Sequence, residues 1–147
     1  MKRLGKDEDG AALVEMTLAA PLLIALAVGA MAFGQILLDY GTANKSMRDA
    51  TRFLSRLPAG AVCGWGLTAA KNMAVYGQET AGTTPRITGW ATSTITLTSP
   101  NCSGAPTDPF NLKLQADIPY TNSLLGALGL SSSFTMSVNH EEPHIGR

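Results

Sequence analysis

The sequence is poor in charge, and the charge it has is balanced. Lysine, arginine, aspartate and glutamate make up 15% of 147 residues, 11 basic against 11 acidic. About a quarter is usual. A nucleic-acid binder normally carries a basic excess, so the balance argues against that class. Histidine is nearly absent, and both copies, His140 and His144, lie near the C-terminal end. An internal Ser-His-Asp or Cys-His site would have to recruit that segment. Cysteine is limited to Cys63 and Cys102, with no CxxC pair and no nearby histidines to suggest a metal. No glycine-rich phosphate loop follows a strand pattern. These absences point away from catalysis and from any cofactor or metal.

What is abundant is apolar sequence, unevenly spread. The 45% of apolar residues concentrates between Ala11 and Leu38. The length suits one compact domain with accessories rather than two domains. Beyond Pro58, glycine, serine and threonine dominate, and the roughly 90 residues there can bury only a modest core.

Residues 16–38 read MTLAAPLLIALAVGAMAFGQILL, without a charge and with Thr17 and Gln35 as the polar members. At 1.5 Å per residue this helix spans about 34 Å, enough for a hydrocarbon core of about 30 Å. As a buried core helix it would need a larger surrounding domain than this chain supplies. Pro21 would cost a water-exposed helix interior about 3 kcal/mol. In a membrane, neighbouring helices satisfy the freed carbonyl, so a gentle kink at Pro21 is expected. Lys2, Arg3 and Lys6 precede the span, and Lys45, Arg48, Arg52 and Arg56 follow it, so positive charge does not decide orientation. The cysteines both follow the span. A pair in a small Gly/Ser/Thr-rich domain suits a disulfide in an oxidising compartment, the alternative being two buried thiols. A bond would close a loop of about 39 residues, worth roughly 4 kcal/mol in the chain-entropy picture.

Residues 1–10, MKRLGKDEDG, form a polar leader, and Glu15 interrupts the apolar run that follows it. A carboxylate at a helix centre costs about 2.5–3.5 kcal/mol to insert, and less near the interface. Cleavage after Gly10 would create an amine on Ala11, four residues before Glu15. In a bundle of parallel helices, one subunit's Glu15 could then meet its neighbour's amine and set the axial register. Alternatively, Glu15 sits at the headgroup level.

The segment Gly10-Ala11-Ala12-Leu13-Val14-Glu15-Met16 resembles a prepilin peptidase site, with glycine before the cut and glutamate fifth in the mature chain. The continuation resembles the TadE-like pseudopilins of the tight adherence (type IVc) pilus system. Pro21 lies six residues after Glu15, Phe33-Gly34 follows, then Arg48-Asp49-Ala50-Thr51-Arg52. Met16 stands where the family often has an aromatic, and Ala32 where it often has an acidic residue. The resemblance implies three parts: a leader over residues 1–10, a transmembrane and amphipathic helix over 11–57, and a small periplasmic head over 58–147. It implies a minor pilin or pseudopilin, anchored once in the bacterial inner membrane and supporting assembly of an adhesive pilus. Its partners would be the prepilin peptidase, other pilins, the assembly platform and membrane lipid. Leu18, Pro21, Phe33 and Gly34 would serve helix packing. The rival is a secretory signal peptide cut after Ala32, where Ala30-Met31-Ala32 has the small-x-small pattern, releasing a periplasmic binding module. Asp7, Glu8 and Asp9 in the polar leader, Glu15 and the length of the apolar run weigh against it.

Beyond the span, Ala43, Met47, Ala50, Phe53 or Leu54, and Leu57 recur at helical steps until Pro58 and Gly60 end the helix. Ala11 to Leu57 would make one helix of roughly 70 Å, with Gly41 a possible hinge. Lys45, Arg48, Arg52 and Arg56 share a face, either against anionic headgroups or an acidic neighbour, or simply in solvent. Residues 67–76 suggest a short helix, and 91–98, 111–119 and 133–139 alternate as strands, giving an α+β head. Residues 99–109 are loop chemistry, and 120–130, with four leucines among glycines, suit a loop or helical turn. Trp65 and Trp90 are expected in core or membrane-interface packing. His140-Glu141-Glu142-Pro143-His144 has the letters of the zinc-protease motif HExxH. That motif needs a helix, which Pro143 disfavours, so a solvated tail is expected.

Overall fold

A computed structural model describes residues 7–103, 106, 107 and 109–146. Most of the expected leader, residues 1–6, lies outside the described residues, as do Gly104, Ala105 and Asp108 of the expected 99–109 loop. The elements in order are α1 (Asp7–Ser55), α2 (Ala59–Val62), α3 (Trp65–Tyr76), β1 (Ile95–Ser99), β2 (Asn111–Thr121), α4 (Ser123–Ala127) and β3 (Ser133–Pro143). The chain divides into two units, one holding residues up to Gln35 together with Asn122–Ser132, the other Ile36–Thr121 and the residues from Ser133 onward.

In the first unit, the N-terminal part of α1 carries α4 against it. Asn122 makes the attachment from a position only 4% exposed. Its Oδ1 accepts from the Leu124 amide at 3.0 Å, capping α4, and its Nδ2 donates to the Ala32 carbonyl of α1 at 3.3 Å. A side-chain cap of this kind is worth about 1 kcal/mol. The Asn122 amide donates to the Ser132 carbonyl at 2.7 Å, closing the loop. A methyl group added to Gly29 would stand 3.9 Å from Leu128 Cδ1, ordinary contact distance.

The second unit is an α+β head built on the rest of α1. β2 is the central strand of an antiparallel sheet ordered β1-β2-β3. It pairs with β3 from Asn111↔Pro143 to Thr121↔Ser133 and with β1 through Ile95↔Ala116. Strand alternation puts Leu112, Leu114, Ala116, Ile118 and Tyr120 on one buried face. Ala43, Met47, Ala50 and Leu54, spaced for one helix face, join them in a single core with Ala70, Ala74 and Val75 of α3. Buried polar groups on α1 are bonded. The Ser46 hydroxyl accepts from Arg86 Nη1 at 2.8 Å, and the Thr51 hydroxyl donates to the Met47 carbonyl at 2.7 Å. Cys63, at the end of α2, is disulfide-bonded to Cys102 in the β1–β2 connection, with a Cα–Cα distance of 5.5 Å. Gly77 ends α3 at φ 80°, a left-handed conformation that favours glycine at a C-cap.

Several boundaries differ from the sequence expectation. α1 runs unbroken through Gly41, so the expected hinge is helical. It stops at Ser55, with Arg56 and Leu57 in tightened turns ahead of Pro58. Residues 92–94 form a 3₁₀ turn, so β1 starts at Ile95. The larger correction is at the C-terminal end. The expected solvated tail is structured, because β3 continues to Pro143 through its pairing with β2. Beyond it, the amides of Ile145 and Gly146 both donate to the Ser55 carbonyl at 2.9 Å. That carbonyl is among those a helix terminus leaves without an internal partner. Trp90 is core, whereas Trp65, at the start of α3, is 62% exposed.

The central strand should carry the head's stability. Leu114→Ala is expected to lower it by about 2–5 kcal/mol. Urea unfolding of the detergent-solubilised chain checks this, with the exposed Thr80→Ala staying within about 0.5 kcal/mol of the parent.

Candidate assembly interface

The candidate site is a surface along α1 rather than a pocket. Gly10 and Ala11 lie in its opening turns and are exposed. Glu15, four residues after Ala11 and so on the same side of the helix, is also exposed. Large apolar side chains follow without cover from the chain itself. Leu18 is 75% exposed, Leu26 63% and Phe33 64%. Pro21 sits inside the helix and is exposed, and Gly34 is half-buried. Ala32, beneath Asn122, is fully buried. Covering a leucine fully is worth about 1.5–3 kcal/mol, so a surface of this size requires a non-aqueous neighbour. The Thr17 hydroxyl donates back to the Leu13 carbonyl, so the polar group has a partner within the apolar run. Length and apolarity fit a single-pass membrane helix.

Past the apolar run, the first charge is Asp39, whose Oδ2 accepts from the Tyr120 hydroxyl at 2.7 Å. Sequence reasoning missed this contact. The signal was Tyr120 continuing the buried alternation of β2. It also missed the Asn122 clasp, although an asparagine before an apolar turn is a recognised N-cap pattern.

Lys45, Arg48 and Arg52 of α1 and Arg56 in the turn after it are all exposed, at three- and four-residue steps. Arg52 alone among them is joined to the sheet, its Nε 3.1 Å from Glu142 Oε1 on β3. His140 Nε2 approaches the same oxygen at 3.1 Å. The His140 imidazole and the Arg52 guanidinium hold the Glu142 carboxyl below the usual carboxylate range. Glu141, on the opposite face of β3, accepts from Asn111 Nδ2 at 3.1 Å. His144 stacks on Phe110 with ring centroids 4.4 Å apart and bonds the Leu57 carbonyl through Nε2 at 2.8 Å. The HExxH letters thus lie on an extended strand and its continuation, and both histidines make structural contacts. A helical pair of zinc ligands is a different geometry.

A carboxyl whose folded pKa is depressed stabilises above its unfolded value and loses that contribution as pH falls through the folded one. The ordinary value for Glu142 is 4.5. Solvent at Arg52 screens the pair, so its worth is at most about 1 kcal/mol. The stability lead of the parent over Glu142→Gln is expected at pH 6 and should shrink as pH falls below 4.5 and on through the lower folded value, as read by urea unfolding across that range.

No curated protein and no solved structure gives a match to the chain. A family model does match, over the part that holds Glu15, Pro21, Phe33-Gly34 and Lys45, Arg48 and Arg52 of the basic face. Residues 10–52 match the family described as TadE-like protein, so this part of the chain is similar to that family, consistent with a TadE-like protein of the tight adherence pilus system.

Proposed function

We propose that the chain is a minor pilin or pseudopilin that supports assembly of a tight adherence pilus. In this reading a prepilin peptidase hydrolyses the Gly10–Ala11 bond and leaves a free amine on Ala11. The leader is residues 1–10, the helix that remains is 11–57, and the head is 58–147. The helix crosses the inner membrane and the head stands in the periplasm, where the Cys63–Cys102 bond suits an oxidising compartment. The chemistry of cleavage belongs to the peptidase.

The observation that carries this reading is the uncovered apolar face of α1, with one carboxylate set in it, on a segment matching a pilus-associated family. Such a face is stable in lipid and equally against like helices, so one surface serves both the membrane state and the assembled state. Glu15 gives the packing a register. In hydrocarbon a lone carboxylate is costly, and a neighbour's Ala11 amine offsets that cost at one axial offset only. Leu18, Pro21, Phe33 and Gly34 shape the helix contact around that pair. The exposed Lys45, Arg48 and Arg56 follow the span and favour anionic headgroups.

Glu15→Gln keeps the shape and removes the charge. The variant should be made and inserted normally, yet fall at least tenfold in co-isolation with the other pilus subunits, a loss of about 1.4 kcal/mol or more. Co-isolation and piliation at the parent level would remove the register pair from the account.

A further inference from the structure

Between Asp117 and Glu141 the sequence has no aspartate, glutamate, lysine or arginine. The centre of that stretch is Asn122–Ser132, which belongs to the same unit as the apolar part of α1. We infer that this loop is a second membrane contact, with α4 and Leu130 seated in the acyl boundary of the bilayer. The inference rests on α1 being the membrane span.

The loop touches α1 within the uncharged run. Asn122 reaches the Ala32 carbonyl, and Leu128 lies at Gly29. Ala32 and Gly29 both fall inside the uncharged stretch of residues 16–38, so with that stretch in hydrocarbon the loop lies alongside residues of the span. Interfacial helices seat their apolar faces about 5–10 Å into the headgroup and acyl boundary.

Backbone at that depth must be satisfied internally. The loop supplies several of these bonds itself. The Leu124 amide donates to Asn122 Oδ1 at 3.0 Å. The Leu128 amide donates to the Leu125 carbonyl at 3.1 Å, and Leu130 to the same carbonyl at 3.0 Å. The Gly129 amide donates to the Gly126 carbonyl at 3.0 Å. Asn122, the one amide side chain in the loop, spends both ends of its carboxamide on capping and clasping. The outward surface from Gly126 to Leu130 is apolar. Leu130 is 59% exposed, beside the exposed Gly126, Ala127 and Gly129, with the exposed hydroxyl residues Ser123, Ser131 and Ser132 at the two ends of the loop. In water this arrangement leaves a leucine uncovered, whereas in lipid it leaves no bare charge.

The test uses the full chain in vesicles of phosphatidylcholine and phosphatidylglycerol, with its native disulfide intact. A nitroxide is attached at Leu130→Cys, at Leu26→Cys in the span, and at Thr80→Cys in an exposed loop of the head. Collision with oxygen reports lipid, and collision with a water-soluble nickel chelate reports solvent. The expected result is an oxygen-to-nickel ratio at position 130 well above that at 80 and between it and the ratio at 26, as for a site at the acyl boundary. Ala127→Cys repeats the reading at a second exposed site. A ratio at 130 and 127 matching position 80, with 26 still in lipid, overturns the loop contact and leaves the span intact. Protection from both reagents at 130 also overturns it, since protein then covers the loop. A solvent-like ratio at 26 overturns the span itself, and this inference with it.

Discussion

The uncovered apolar surface of α1 is the constraint that governs the molecule. From Leu13 to Leu38 almost every large side chain faces outward, and among the described residues the Asn122–Ser132 loop supplies local cover. Water is a poor environment for such a surface, and only lipid or other apolar helices can occupy it. Every polar feature within the run then carries a cost that has to be offset. The Thr17 hydroxyl bonds the helix's own backbone. Among the described residues no bond of this kind is made by Glu15, and in the proposed assembly a neighbour's amine would supply its partner. Specificity in the proposed bundle would then come from the one group that tolerates few alternatives, while the apolar stripe would provide affinity without direction.

The head follows from a second use of the same helix. Past Asp39 the exposure pattern changes from apolar all round to a stripe of Ala43, Met47, Ala50 and Leu54 facing the sheet and basic residues facing out. Small residues at 43 and 50 alternate with larger ones at 47 and 54 opposite the buried face of β2. A three-stranded sheet is near the lower limit for independent stability. The head meets that limit with α3 on the same core, a covalent tie from Cys63 to Cys102, and a C-terminal segment that caps the end of α1 at Ser55 and Leu57.

Much of this was legible in the sequence because its periodicities are strong. The uncharged run, the 3.6-residue stripe beyond it and the period-two alternation of residues 112–120 each have one simple structural solution. The motif set around Gly10, Glu15, Pro21 and Phe33-Gly34 also located the segment that matches the TadE-like family. What escaped were contacts that depend on tertiary pairing. His140 to Pro143 look like polar tail residues, yet pairing with Leu114 through Asn111 makes them strand, because an eleven-residue β2 needs a partner along its whole length. The role of Asn122 was equally hidden. Its capping pattern is local, but its bond to Ala32 spans 90 positions. Gly41 illustrates the opposite error. A glycine suggested a hinge, and the flanking helix carried through it, since one glycine costs a helix only about 1 kcal/mol.

The account turns on whether the apolar helix is kept and what precedes it is removed. The most direct measurement is the N-terminal sequence and intact mass of the protein recovered from its native membrane. The account expects a chain starting at Ala11, with the free amine that Glu15 requires. A start at Phe33 would mean that the helix is discarded and the head released, and a start at Met1 would leave Glu15 without that amine. Either of the latter results contradicts the central claim.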